Sequence, residues 1–295
     1  MKILSLGLSL LAGGFSAAEE PLNLTDVKGR TIRAELMELT DKDTLKMKVN
    51  GKAFDIAMDQ LVKEDQDRVR EWSEEKKAAG EQAEYSKELF FDDFAKDGFG
   101  EAWGHYKSGS VVKGGVLEGI TPEGSDHAAV DNVKIEPQQD IEVSVKFRFA
   151  GPKGKRLDVW LDDKDFKGAH AGHVCRVSLS PNDLSIMDAK EGSFKKEIYE
   201  KKKAGEELDK ETLKQLEGTS ARFDARIKDD KWHTLAVRTS GDEVTAFIDG
   251  KKAGSLKSPG IAHPTKTVIS LTTNQAEIQY DDFSIRAKKS LKTRR

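Results

Sequence analysis

Two short runs carry side chains whose types and spacing suit the holding of a polar ligand. In Leu157-Asp158-Val159-Trp160-Leu161-Asp162, the period of two in an extended chain puts Leu157, Val159 and Leu161 on one face and Asp158, Trp160 and Asp162 on the other. In His173 to Ser180 the same alternation sends Cys175, Val177 and Leu179 inward and Arg176 outward. An indole flanked by carboxylates suits stacking on a sugar ring, with the acids accepting bonds from its hydroxyls. If the two runs are neighbouring strands, His173 and Arg176 join Asp158, Trp160 and Asp162 in one ligand-binding set. A second reading packs Trp160 beneath a helical insertion that follows in the chain.

Other groupings of reactive residues are weaker. His170-x-x-His173 with Cys175 has metal-ligand types, but Ala169, Ala171 and Gly172 make the start of this strand pliable, and no third ligand sits at ordinary spacing. Asp158, Asp162, Asp163 and Asp165 offer oxygens that suit Ca²⁺, without the spacing of an EF-hand loop. No cofactor is expected, and calcium is the one ion the pattern leaves open. Glu207-x-Asp209-x-Glu211 would aim three carboxylates into one cleft from a strand, whereas at about 100° per residue a helix scatters them. No nucleophile elbow with a Ser-His-Asp order occurs, and Gly13-Gly14 and Gly114-Gly115 lack the lysine of a phosphate loop. No catalytic residue is assigned.

The elements that position these groups belong to a globular chain of 295 residues, 37% hydrophobic and 34% charged, long enough for one large or two unequal domains. A formal net charge of -3 supplies no global field toward nucleic acid or an anionic membrane. Lys2, the apolar run from Ile3 to Leu11 and Ser16-Ala17-Ala18 read as a secretory signal peptide over 1–18, and no later stretch has the roughly 20 apolar residues of a membrane span. A secreted or periplasmic protein is expected. Cys175 is the only cysteine, so there is no intrachain disulfide, and Val174 and Val177 mark it as a buried, inert thiol. Lys288, Lys289, Lys292, Arg294 and Arg295 form a basic, solvated tail over 288–295.

Residues 22 to 58 alternate β-prone runs with turns, and Asn50-Gly51 is a hairpin signal because both residues tolerate positive φ. A helix is expected from about Met58 to Trp72, with Leu61, Val69 and Trp72 on its apolar stripe. The order Thr25 to Ile32, the Asn-Gly hairpin, and Leu61 to Gln66 leading into Val69-Arg70-Glu71-Trp72 resemble the small SH3-like barrel called the Sla homology domain. The resemblance implies a barrel over 19–73 that serves as a protein-contact module. From Ser73 to Leu89 the composition turns to Glu, Lys, Ala and Gln without apolar periodicity, which predicts an exposed helical linker over 74–88.

From Leu89 the rhythm is all-β. Ile141 to Phe149 alternates Ile, Val, Val, Phe and Phe with Glu, Ser, Lys and Arg, the pattern of a strand with one buried and one wet face. Phe194 through Leu216 is rich in Lys and Glu and predicts one or two amphipathic helices inserted over 193–217. Phe91-Asp92-Asp93-Phe94, Lys231-Trp232-His233-Thr234-Leu235, Phe247-Ile248-Asp249-Gly250-Lys251, His263-Pro264-Thr265-Lys266 and Tyr280-Asp281-Asp282-Phe283 resemble the concanavalin-like jelly rolls of 3-keto-disaccharide hydrolase-type and laminin-G-like domains. The expected chain is mainly β: an SH3-like barrel, then an antiparallel sandwich over 89–287 with a helical insertion. The expected role is non-catalytic binding of carbohydrate or a cell-surface glycan through the sandwich. A glycoside hydrolase or lyase of the keto-disaccharide type, which the resemblance implies, and a structural or adhesion protein are the alternatives.

Overall fold

The computed structural model describes residues 21–150, 156–227, 230–274 and 278–289; the expected signal peptide and the tail beyond Lys289 lie outside the described residues. The chain divides into two compact units at Ser73 and Glu74. In the first, β1 (Leu22–Thr25), β2 (Thr31–Leu39), β3 (Thr44–Val49) and β4 (Lys52–Ala57) form an antiparallel meander in chain order. Asn50 and Gly51 join β3 to β4 with φ of 52° and 77°, the paired positive values of a type I′ turn. A 3-10 turn over Met58–Gln60 follows, and the chain then returns to β1, where the Val62 N–H donates to the Thr25 carbonyl at 3.0 Å. Leu24, Ala34, Leu45, Met47, Met58, Leu61 and Val69 make this unit's core.

The helix expected to end at Trp72 instead runs without a break as α1 (Lys63–Glu84). Residues 73 to 84 are almost all strong helix formers, so nothing in them ends it. The stretch from Glu74 is helical to Glu84 and largely exposed, with two buried anchors. Ala78 is buried against Ala236 and Phe247, and Tyr85 donates its hydroxyl to the Thr239 carbonyl at 2.8 Å. The helix is not apolar and long enough to cross a membrane, nor is any other among the described residues.

The second unit is a two-layer antiparallel sandwich. Its elements are β5 (Lys87–Asp92), β6 (Trp103–Tyr106), β7 (Val111–Lys113), β8 (Val116–Gly119), β9 (Ala129–Gln138), β10 (Ile141–Phe149), β11 (Arg156–Asp162), β12 (His173–Leu179), β13 (Asp183–Asp188), α2 (Lys196–Lys203), α3 (Lys210–Glu217), β14 (Ser220–Asp224), β15 (His233–Ser240), β16 (Glu243–Ile248), β17 (Lys251–Lys257), β18 (Lys266–Asn274) and β19 (Ile278–Ala287). One sheet has the order β17-β16-β15-β10-β19-β8-β7, with β5 also paired to β19. The other has the order β14-β13-β12-β11-β18-β9-β6.

The core lies between the sheets. Ile141, Val143, Val145, Phe147 and Phe149 of β10 face Leu157, Val159 and Leu161 of β11 and Cys175, Val177 and Leu179 of β12 within one buried cluster. Trp103 closes one end beside Phe90, Phe94, Phe99 and Phe283, and its indole N–H donates to Asp92 at 2.8 Å. The other face of β10 is not wet along its length. Glu142 is buried with Arg238, whose Nε donates to Glu142 Oε2 at 2.6 Å and whose Nη1 donates to the Ala78 carbonyl at 2.8 Å, so α1 covers both. Lys266 is wholly buried and donates to the backbone carbonyls of Gln139, Ile261 and His263; burial pushes its amine below the usual lysine value.

The insertion is helical as α2 and α3. Asp209 caps α3 by accepting from the Thr212 N–H at 2.8 Å, so Glu207, Asp209 and Glu211 lie before, at and within a helix start instead of along a strand. Lys288 at the start of the basic tail is paired with Glu84 at 3.0 Å.

Candidate functional site

β11 is the central strand of the seven-stranded sheet, flanked by β12 and β18. The runs holding Asp158, Trp160 and Asp162 and holding His173 and Arg176 are therefore hydrogen-bonded neighbours. Trp160 is opposite Arg176 on β12 and Ser270 on β18, and Asp158 is opposite Ser178 and Thr272. A bulge after Leu161 sets Asp162 beside His173. Because directly opposite residues share a face, all of these side chains except the inward Cys175, Val177 and Leu179 lie on the side of the sheet away from the core.

Trp160 is enclosed, with 9% of its surface exposed. The Arg176 guanidinium lies 4.8 Å from its ring centroid, the His173 ring 4.1 Å away, and Phe194 meets it edge-on at 5.2 Å. Phe194 belongs to the insertion, so the indole packs beneath that segment and under arginine and is not an open stacking platform. An indole buries a large apolar area, and covering it outweighs presenting it to water. Next along the chain, His173 Nδ1 is 2.7 Å from Asp162 Oδ1. Burial pushes the Asp162 carboxyl up, against the pull of its bond to His173. His170 stacks on Tyr199 at 3.9 Å, and its burial holds it below the usual histidine value.

The row through Asp158 is chemically unfinished. Asp158 Oδ1, Ser178 Oγ and Thr272 Oγ1 are each buried without a hydrogen bond, on three adjacent strands. Arg156 Nε lies 3.4 Å from Asp158 Oδ1 as an ion pair. Among the described residues Arg176 has no hydrogen-bond partner; burial lowers its pKa, opposed by the Asp158 charge. Ser178 and Thr272 were absent from the sequence-derived set. Their parity with Asp158 was the available signal, and it needs the strand order to become usable.

The metal patterns do not assemble. Cys175 faces the core, where burial pushes its thiol up to about 12. Asp163 turns to His263 Nε2 at 2.9 Å and to Thr265. Burial pushes the Asp163 carboxyl upward, but bonds from Thr265, His263 and the Asp165 backbone N–H outweigh this and hold it below the usual carboxylate range. Among the described residues no three His, Cys, Asp or Glu side chains converge to hold a metal ion. A separate cleft of 320 Å³, lined by Lys77, Glu81, Tyr85, Arg238 and Phe247, lies on the eight-stranded sheet and shares no residue with this face.

Residues 65–286 match the family model described as 3-keto-alpha-glucoside-1,2-lyase-like domain. No curated protein matches the sequence. Among solved structures, a laminarinase from Rhodothermus marinus is similar at 12% identity and a TM-score of 0.48 over 69% of this chain and 98% of that one. A carbohydrate-binding module from Bacillus subtilis is similar at 11% identity and a TM-score of 0.40 over 63% and 96%. A sialidase is similar at 13% identity and a TM-score of 0.48 over 83% of this chain and 21% of that one, so the chain spans about a fifth of the sialidase.

Proposed function

Because the chain belongs to the 3-keto-alpha-glucoside-1,2-lyase-like family, we propose that it recognises a carbohydrate on the outward face of the seven-stranded sheet. The observation that carries this reading is the row of three buried oxygens without hydrogen bonds, Ser178, Asp158 and Thr272, beside a guanidinium that also has none among the described residues. Leaving a buried hydroxyl unmade costs roughly 1–3 kcal/mol, and Asp158 Oδ1 is compensated only by its ion pair with Arg156, so a ligand that bonds to the serine and threonine beside it recovers free energy. A sugar fits because each hydroxyl both donates and accepts. The carboxylate accepts, the guanidinium donates, and the serine and threonine hydroxyls do either.

The leading reading is binding without bond cleavage. Asp158 and Asp162 are four residues apart on one strand, a separation of about 13 Å at the usual rise. Carboxylate pairs that hydrolyse glycosides stand roughly 5–9.5 Å apart. A protein-contact role for the first unit, which the return of Val62 to β1 after the 3-10 turn supports as SH3-like, and export to the periplasm or beyond complete the reading.

A second reading is favoured by Asp162 and His173. A carboxylate holding Nδ1 fixes the imidazole so that Nε2 can act as a base. On a 3-keto glycoside such a base takes the proton from the carbon next to the carbonyl. The C–H electron pair forms the C1–C2 double bond, the C1–O bond breaks, and the departing sugar oxygen takes up a proton.

Calorimetric titration with glucosides and 3-keto-glucosides tests both readings. Asp158→Asn is expected to weaken binding about tenfold, the loss of one charged hydrogen bond; unchanged affinity overturns the leading reading. Turnover of a 3-keto-glucoside by the wild type, abolished in His173→Asn, would establish the second. Its absence in the wild type would remove it.

A further inference from the structure

The unfinished row extends across the sheet to its edge. Thr272 is opposite Val130 on β9, and Val130 is opposite Tyr106 on β6, with no register shift at either step. Trp103, three residues before Tyr106, is buried in the core, so alternation sends Tyr106 to the outward face with Asp158. Tyr106 is 53% exposed. His127 meets the edge of its ring at 5.2 Å and 81°, and the Lys107 ammonium lies 5.8 Å from its centroid. Phe54, Phe91 and Trp232 are also exposed aromatics, but they lie on β4, on β5 and before β15, so Tyr106 is the open aromatic of this face among the described residues.

The surface between Tyr106 and Asp158 is polar. Asn132 on β9 is opposite Gly104 on β6 and Ser270 on β18. A Cβ at position 104 would stand 2.9 Å from Asn132 Oδ1, so the glycine is what lets the amide lie over the edge strand. That amide has no hydrogen-bond partner among the described residues. Three strand spacings separate Tyr106 from Asp158, about 14 Å, which is longer than a disaccharide.

We propose that Tyr106 is a distal stacking site and that the ligand is a carbohydrate chain of at least three rings laid across the strands from Tyr106 to Asp158. The proposal rests on the carbohydrate reading above and adds the length of the ligand. One ring stacks on the phenol. The middle of the chain bonds to Asn132, and the far ring satisfies Thr272, Asp158 and Ser178.

Titration calorimetry on the full chain with two-ring and four-ring members of the malto-, cello- and laminari-oligosaccharide series tests it. In the series that binds, the wild type is expected to hold four rings about tenfold more tightly than two, the scale of one aromatic contact. Tyr106→Ala should abolish that gain and leave two-ring affinity within about twofold, while Tyr106→Phe should keep it. Asp158→Asn should weaken both lengths alike. Equal affinity for two and four rings, or a length gain that survives Tyr106→Ala, refutes the distal site and leaves the carbohydrate reading standing. If no member of the three series binds the wild type, the distal site falls, and the carbohydrate reading is decided by the titration with glucosides and 3-keto-glucosides.

Discussion

Cys175 and Asp163 show how one residue's surroundings set its chemistry. The thiol is wholly buried between Leu161 and Asp188 in the strand register, and a group pushed up to about 12 stays a thiol at any physiological pH. Thiol reagents such as Ellman's reagent are expected to leave the native protein unmodified and to label one site on denaturation; rapid native labelling would contradict the burial. Asp163 acts in the opposite direction. Its folded pKa is held below the usual aspartate value, so it stabilises the fold above that range and the contribution is lost as pH falls through the lower folded value. Asp163→Asn should flatten the acid limb of a urea-unfolding series, with the largest difference from wild type above about pH 4. At this scale the sequence was partly readable. The neighbours Val174 and Val177 marked Cys175, and period-two alternation separated Asp158, Trp160 and Asp162 from the core residues. Ser178, Thr272 and Tyr106 gave no signal of their own, because a hydroxyl or an exposed phenol has meaning only beside its cross-strand neighbours.

At the scale of elements, what the sequence does not signal is the anchoring of the segment from Glu74 to Glu84. Its only apolar positions are alanines, too small to produce a periodic signal, and Ala78 nevertheless packs on Ala236 and Phe247. The same docking turns Glu142 and Arg238 into a buried ion pair, although alternation in Ile141 to Phe149 placed Glu142 on a wet face. Removing one partner of such a pair leaves the other charged, buried and unpaired. Arg238→Ala is therefore expected to destabilise the protein by about 3–5 kcal/mol in urea unfolding and to expose the amides of residues 74–84 to hydrogen exchange. Adding Glu142→Leu to Arg238→Leu should recover most of the loss, since an apolar pair of similar volume carries no charge to desolvate. A full loss in the double variant would mean that Arg238 acts through its bond to the Ala78 carbonyl. The helical insertion was legible because the segment is rich in the helix formers Lys and Glu and sets Leu213 and Leu216 three residues apart; its covering of Trp160 by Phe194 was not, since it depends on where the insertion folds back.

For the molecule as a whole, the two units give a test that single residues do not. A ligand that binds only the native sandwich raises that unit's stability by about 2.7 kcal/mol at a hundred times its dissociation constant. In calorimetry the saccharide that binds should shift the transition of the second unit upward and leave that of the first in place. A shift confined to the first unit would move the site off the seven-stranded sheet. The same scans with a chelator should be superimposable on those without, since three of the four aspartates from 158 to 165 are taken up separately, Asp158 by Arg156, Asp162 by His173 and Asp163 by His263. Strand content and the antiparallel class could be read from short alternating runs. Strand order could not, because β11 pairs with β18 across more than a hundred residues, as in Asp158 with Thr272, and no local pattern encodes so distant a partner.

Lys266 gives this architecture an internal clock. Its ammonium spends its three N–H bonds on the carbonyls of Gln139, Ile261 and His263, which join two segments far apart in the sequence, so an acylating reagent reaches it only when those segments separate. Timed acetylation followed by peptide mass spectrometry would read the opening rate of the sandwich from one lysine, with the surface lysines saturated long before.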